Sequence, residues 1–160
     1  MFAETYFNTA KVTANHNDRF QNEAGSLYNR TLESALIGRV WSGLSRHSNS
    51  LASLDDVKAS IKVNGSHYAG IHDVPIHKIH GSESRVDDFD AQFRPLRLQS
   101  RNRWSRIAAA QQKGETLPPI ELIQVGDEYF VRDGHHRVSV AKALGQEVIE
   151  AEVTVLKIEK

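Results

Sequence analysis

The chain contains no cysteine in its 160 residues. Disulfides and thiolate metal sites are therefore excluded, as is any reaction that needs a thiol nucleophile. It also lacks a charge excess, because Lys+Arg and Asp+Glu both total 20. No global field is available to hold nucleic acid or an anionic membrane. No apolar run approaches membrane-spanning length. The opening Met1-Phe2-Ala3-Glu4-Thr5-Tyr6 has neither a basic n-region nor an apolar core. It does not read as a secretion signal, and a cytoplasmic protein without a membrane partner is expected. The remaining composition, 39% hydrophobic and 25% charged, is ordinary for a globular protein. It suits one compact domain, or one domain with an added helical segment.

Periodicity divides the chain into two parts. Residues 1–16 are polar and mixed and read as a loose or docked arm. From Asn17 or Asp18 a helix is predicted, with Phe20, Ala24, Leu27, Thr31 and Ala35 on one stripe and Tyr28, Leu32 and Leu36 beside it. Apolar residues continue through Val40, Trp41 and Leu44. So wide a stripe predicts burial against the rest of the chain or a second copy, with a homodimer favoured. Ser45–Ser53 is the linker candidate, and Ser53-Leu54-Asp55-Asp56 starts a short helix. The expected division is therefore a helical segment over 1–60 and a second domain over 61–160. In the latter, Tyr68 to Ile79 is extended with a break at Pro75, and Gly81 to Asp90 is a polar loop. A helix carrying Trp104, Ile107, Ala108 and Gln111, capped by Ser100 or Asn102, ends at Gly114. Strands 120–125 and 128–132 meet at Gly126-Asp127, a hairpin signal, and 148–156 is a last strand.

The richest stretch is Tyr129-Phe-Val-Arg-Asp-Gly-His-His-Arg-Val-Ser-Val-Ala-Lys-Ala-Leu-Gly145. An apolar β run is broken at Asp133-Gly134, after which Val138, Ala141 and Leu144 recur at helical spacing. A strand, a glycine turn and a helix start aim several unpaired backbone N–H groups at one point. His135, His136 and Arg137 place cationic side chains at the positive end of the helix dipole, which is costly unless an anion sits there. A bound phosphate, held by Asp133–Arg137, is the reading that follows.

Asp133-Gly134-His135-His136-Arg137 resembles the signature turn of the ParB N-terminal/sulfiredoxin superfamily. ParB members carry Gly-Glu-Arg-Arg there, sulfiredoxins Gly-Gly-Cys-His-Arg, and archaeal free-serine kinases an Asp-Gly-His-Thr-type turn. Val74-Pro75-Ile76-His77-Lys78-Ile79 is similar to the family's opening strand, Trp104 to Gly114 to its first helix, and Leu117-Pro118-Pro119-Ile120-Glu121-Leu122-Ile123 to its Gly-x-x-x-Pro-Ile-x-Val segment. The resemblance covers roughly residues 70–157. It implies an α+β fold, a small mixed sheet with packed helices, here preceded by the helical N-terminal segment. It also implies that the turn cradles nucleotide phosphates, with a nucleoside triphosphate or diphosphate as ligand and Mg²⁺ as the accompanying ion. His135 stands where sulfiredoxins have their cysteine, so sulfiredoxin chemistry is excluded.

Other clusters are weighed beside the turn. Arg94, Arg97, Arg101, Arg103 and Arg106 occur in a stretch without acids. The simple reading is a solvated basic face; by the resemblance, Arg101 and Arg103 become candidate phosphate contacts. Glu83, Asp87, Asp88 and Asp90 would hold Mg²⁺ or accept a hydroxyl proton, or simply pair with the arginines. In the kinase branch a glutamate after the opening strand is the base, and Glu83 is the nearest match. Glu83 and His135 are thus the catalytic candidates. His72, His77 and His80 lack a compact ligand spacing, and one extended strand would splay His77 and His80 apart, so no metal site is expected. Lys142 reads as a solvent lysine. The expected function is binding of a nucleotide or phosphorylated small molecule, as a nucleotide sensor or hydrolase. The alternative is a small-molecule kinase resembling the free-serine kinases. A ParB-like DNA role is the least favoured, since no helix-turn-helix follows the turn before Lys160 and no specific duplex DNA binding is expected.

Overall fold

Side chains alternate between the two faces of one mixed sheet, and helix residues pack against both faces. The computed structural model describes residues 2–45 and 49–159, with side-chain surroundings from 17–42 and 49–159. The elements run α1 (Phe2–Ser45), β1 (Ala52–Ser53), α2 (Leu54–Ser60), β2 (Val63–Pro75), β3 (Ile79–Ser82), α3 (Arg101–Gln112), β4 (Ile120–Val125), β5 (Glu128–Asp133), α4 (His135–Ala143) and β6 (Val148–Ile158). Short 3₁₀ turns at Ile76–Lys78 and Leu98–Ser100 precede β3 and α3. The chain is α+β, as the sequence implies. Among the described residues no helix is long and apolar enough to cross a membrane.

The six strands lie in the order β1-β3-β5-β4-β6-β2. β3 runs parallel to β5, β4 antiparallel to β5 and parallel to β6, and β2 antiparallel to β6 along most of its length. Alternation along β4 and β5 gives each face its own core. Ile120, Leu122 and Val131 join Val138 of α4 and the Phe89 and Phe93 rings on one side. Ile123 and Phe130 meet Leu54 of α2 on the other. Residues 49–53, within the linker candidate, are packed: Leu51 is buried, Ser50 bridges to Asp90, and Ala52–Ser53 pairs with Gly81–Ser82. Residues 46–48 lie outside the described residues. The β2 edge carries two register breaks, between Val63 and Ser66 and between Tyr68 and Gly70.

The N-terminal helix begins at Phe2, so the stretch 1–16 expected as an arm is helical from that residue onward. Its stripe covers the domain itself. Ala24, Tyr28 and Leu32 are buried with Trp104, Ala108 and Ala109 of α3 and Val140 of α4, and Phe20 and Leu27 pack at the margin. The Tyr28 ring meets Trp104 edge-on at 5.4 Å, a favoured aromatic geometry, and its hydroxyl donates to the Arg97 carbonyl at 2.5 Å. Further along, Leu36, Ile37, Val40 and Trp41 are exposed. The wide stripe of the sequence thus splits in two: one arc faces α3, while the last turns lie beyond it.

Candidate functional site

β5 ends at Asp133 and α4 starts at His135, so the reversal falls on Gly134 alone. Gly134 adopts φ +97°, a left-handed conformation, and an added Cβ would lie 2.4 Å from Ile120 Cγ2. Only glycine satisfies both demands. The first backbone bond of α4 runs from the Val138 N–H to the Gly134 carbonyl at 3.0 Å. The N–H groups of His135, His136 and Arg137 precede that bond and form the helix's open positive end. These three residues line a small concavity of about 30 Å³ together with Arg85, Arg103 and Ile107.

Both histidines turn inward. His135 Nε2 lies 2.6 Å from Ser82 Oγ, and its ring stacks on Phe89 at 18° and 6.1 Å. His136 meets the same phenyl ring edge-on at 5.3 Å. Burial, helped by the Arg85 charge, lowers the His135 pKa. Burial and then Arg103 push His136 down to about 4. Both rings are therefore neutral at pH 7, and the cationic cost anticipated for them at the helix start does not arise. His136 is only 8% exposed, and its Nδ1 has no hydrogen-bond partner among the described residues. A buried polar atom left alone costs about 1–3 kcal/mol.

Arg137 is compensated from within the chain. It donates to the Pro118 carbonyl, to the Pro119 carbonyl at 2.8 Å and to Asp133 Oδ2 at 2.9 Å. Its first task is to pin the segment before β4 to the turn, so its charge no longer argues for an anion. Arg103 borders the concavity. Arg101 does not; its guanidinium packs at Gly25 and acts on Tyr28 of α1. Glu83 is drawn sideways, to Arg132 Nε at 2.9 Å and Lys58 Nζ at 3.7 Å. The Arg132 hydrogen bond holds its carboxyl below the usual range, which weakens it as a base. The remaining acids are partly spoken for. Asp90 is buried and bound by Arg94 at 2.7 Å, and Asp88 pairs with Arg97 at 2.9 Å and Arg85 at 3.9 Å. Among the described residues no three His, Asp or Glu side chains are grouped to hold a metal ion.

Three participants were not legible as such. Ser82 reaches His135 because β3 pairs in parallel with β5, setting Ser82 opposite Val131. Arg85 and Phe89 come from the following loop, with Arg85 at φ +58°. Lys142, expected in solvent, is half-buried: its Nζ donates to the Ile79 carbonyl at 3.1 Å and lies 4.8 Å above the Phe93 ring. His77 and His80 are not splayed along one strand either, because the 3₁₀ turn at Ile76–Lys78 intervenes and both border one cleft.

No protein-family model and no curated protein matches the chain. Among solved structures it is similar to sulfiredoxin from Arabidopsis thaliana, with 22% identity and a TM-score of 0.39 over 52% of this chain and 82% of that one. It is also similar to a conserved hypothetical protein from Pyrococcus furiosus, with 19% identity and a TM-score of 0.37 over 54% of this chain. The chain spans 33% of that protein's length.

Proposed function

We propose that the protein binds the phosphate group of a nucleotide or other phosphorylated small molecule at the Asp133–Arg137 turn. The observation that carries this reading is the unpartnered Nδ1 of buried His136, a residue that lines the concavity at the start of α4. An N–H on Nδ1 would donate to a phosphate oxygen, and the backbone amides would supply further donors along the helix dipole. Arg103 and Arg85 border the same concavity and provide full charges. The concavity suits one phosphate group, so the rest of the ligand would lie outside it. A nucleotide sensor needs nothing further from these residues. Hydrolysis or phosphotransfer would need a base, and His135, held neutral and bonded to Ser82, is better placed for it than Glu83.

Thermal shift of the intact chain with ATP, ADP, GTP and inorganic phosphate, each with and without Mg²⁺, tests the reading. A ligand at 100 times its Kd should stabilise by about 2.7 kcal/mol. Arg103→Ala and His136→Asn should each weaken that ligand by about tenfold or more. Unchanged affinity in both variants, or no shift with any phosphate compound, would overturn the site.

A further inference from the structure

We infer that a second binding site, for a small monocarboxylate, lies between α1 and α4 with Lys142 as its anchoring cation. A cleft of about 390 Å³ opens there, bordered by Thr31 of α1, His77, His80, Arg94, Ser139 and Lys142. Its volume falls in the range of small-molecule pockets. No acid lines it.

The charges decide the ligand class. Arg94 and Lys142 bring two positive charges, and buried Asp90 brings one negative charge. Asp90 is spent on Arg94: its Oδ2 takes Arg94 Nε at 2.7 Å, and its Oδ1 accepts the N–H groups of Gln92 at 3.0 Å and Arg94 at 2.9 Å. Lys142 is left with one backbone carbonyl and the Phe93 face. Two cations against one anion leave a net charge of one, matched by a monoanion rather than by a phosphate dianion. Burial lowers the Lys142 pKa although the Asp90 charge opposes the shift, so the ammonium is only partly compensated and a carboxylate would add to that compensation.

Ser139 belongs to the cleft wall: it is 1% exposed and its Oγ accepts the Trp104 indole N–H at 2.8 Å. The Lys142 ammonium is therefore the donor that a carboxylate would meet. Ala91 and Ala143 offer apolar wall for a short hydrocarbon part. The site stands apart from the phosphate-turn reading, since it uses neither the first turn of α4 nor Arg103.

The test is an NMR titration of the uniformly labelled full chain with sodium propanoate and sodium benzoate, against inorganic phosphate and sodium chloride at matched ionic strength. Saturable shifts at the Thr31, Ser139 and Lys142 amides are expected with the carboxylates. Lys142→Met, which keeps the stem over Phe93, should weaken binding by about tenfold or more, while His136→Asn should leave it unchanged. In the wild type, carboxylate binding should also raise the titration midpoint of the Lys142 ε-methylene resonance, which needs no variant. The site is overturned if neither carboxylate saturates there, if Lys142→Met binds as tightly as wild type, or if the wild-type midpoint stays fixed. Tighter binding of phosphate than of either carboxylate in this cleft would overturn the ligand class.

Discussion

The Trp104 indole N–H and the Ser139 hydroxyl oxygen meet at 2.8 Å in the buried contact between α3 and α4. Trp104 is fully buried and Ser139 is 1% exposed, so water cannot replace either partner. Ser139→Ala should cost about 1–3 kcal/mol, the penalty of stranding a buried donor. Urea unfolding followed by tryptophan fluorescence checks this; a loss below a few tenths would mean that the indole finds another acceptor.

At Gly134 two independent obstacles meet any side chain: the left-handed backbone and the Ile120 methyl. Gly134→Ala should cost roughly 2–5 kcal/mol, from strained φ and overpacking together. Gly134→Ala combined with Ile120→Ala removes the collision but keeps the strain. The double variant should therefore lose less than the sum of the two single losses in denaturant titration. Strict additivity would show that the two residues do not press on each other.

Stability should fall as pH drops from about 6.5 towards 4 because of His136. Its folded pKa, about 4, lies below the ordinary 6.5, so the unfolded chain takes the proton first. The contribution is complete above pH 6.5, and below it the slope is at most about 1.4 kcal/mol per pH unit for one group. His135, also lowered, adds the same sign. Denaturation curves at pH 7 and pH 5 for wild type and His136→Asn isolate the effect, and the variant should show the flatter dependence. A phosphate bound beside the ring would raise its pKa, so binding near pH 5 should take up protons, measurable as a buffer-dependent calorimetric heat.

Arg137→Ala should destabilise the chain by about 1–3 kcal/mol, since it would leave the Pro118–Pro119 segment and the turn unjoined. Hydrogen exchange should quicken first at the start of β4. An effect on phosphate affinity alone, with stability intact, would contradict the pinning role.

α3, α4, β4, β5 and β6 were legible because their apolar spacing is local, whereas β2 starts at Val63 rather than Tyr68 and the end of β3, Gly81–Ser82, was expected in a loop. Gly126-Asp127 marks its hairpin, and Val138, Ala141 and Leu144 mark α4, without help from distant residues. The glycine turn was legible for the same reason. What escaped depends on pairing between remote segments. Nothing in the sequence near Ser82 says that it meets His135, since that follows from the β3–β5 register. Lys142 looked solvated because its neighbours on α4 do not show that Phe93 and the Ile79 carbonyl lie beneath it. The cations of the turn were misjudged because burial, which neutralises the histidines, and the prolyl carbonyls, which receive Arg137, are both tertiary.

The two ends of the sheet differ in length but share one outcome. β1 is two residues long, and β2 is interrupted twice, each interruption beside a glycine with positive φ, Gly65 at +125° and Gly70 at +96°. A uniform ladder of free backbone groups is the template on which stray strands add and fibrils grow. Here one border is too brief and the other too crooked to serve as that template. The fold can therefore carry an exposed β-ribbon bearing Tyr68 and Ile71 at its surface while remaining guarded against self-templated polymerisation.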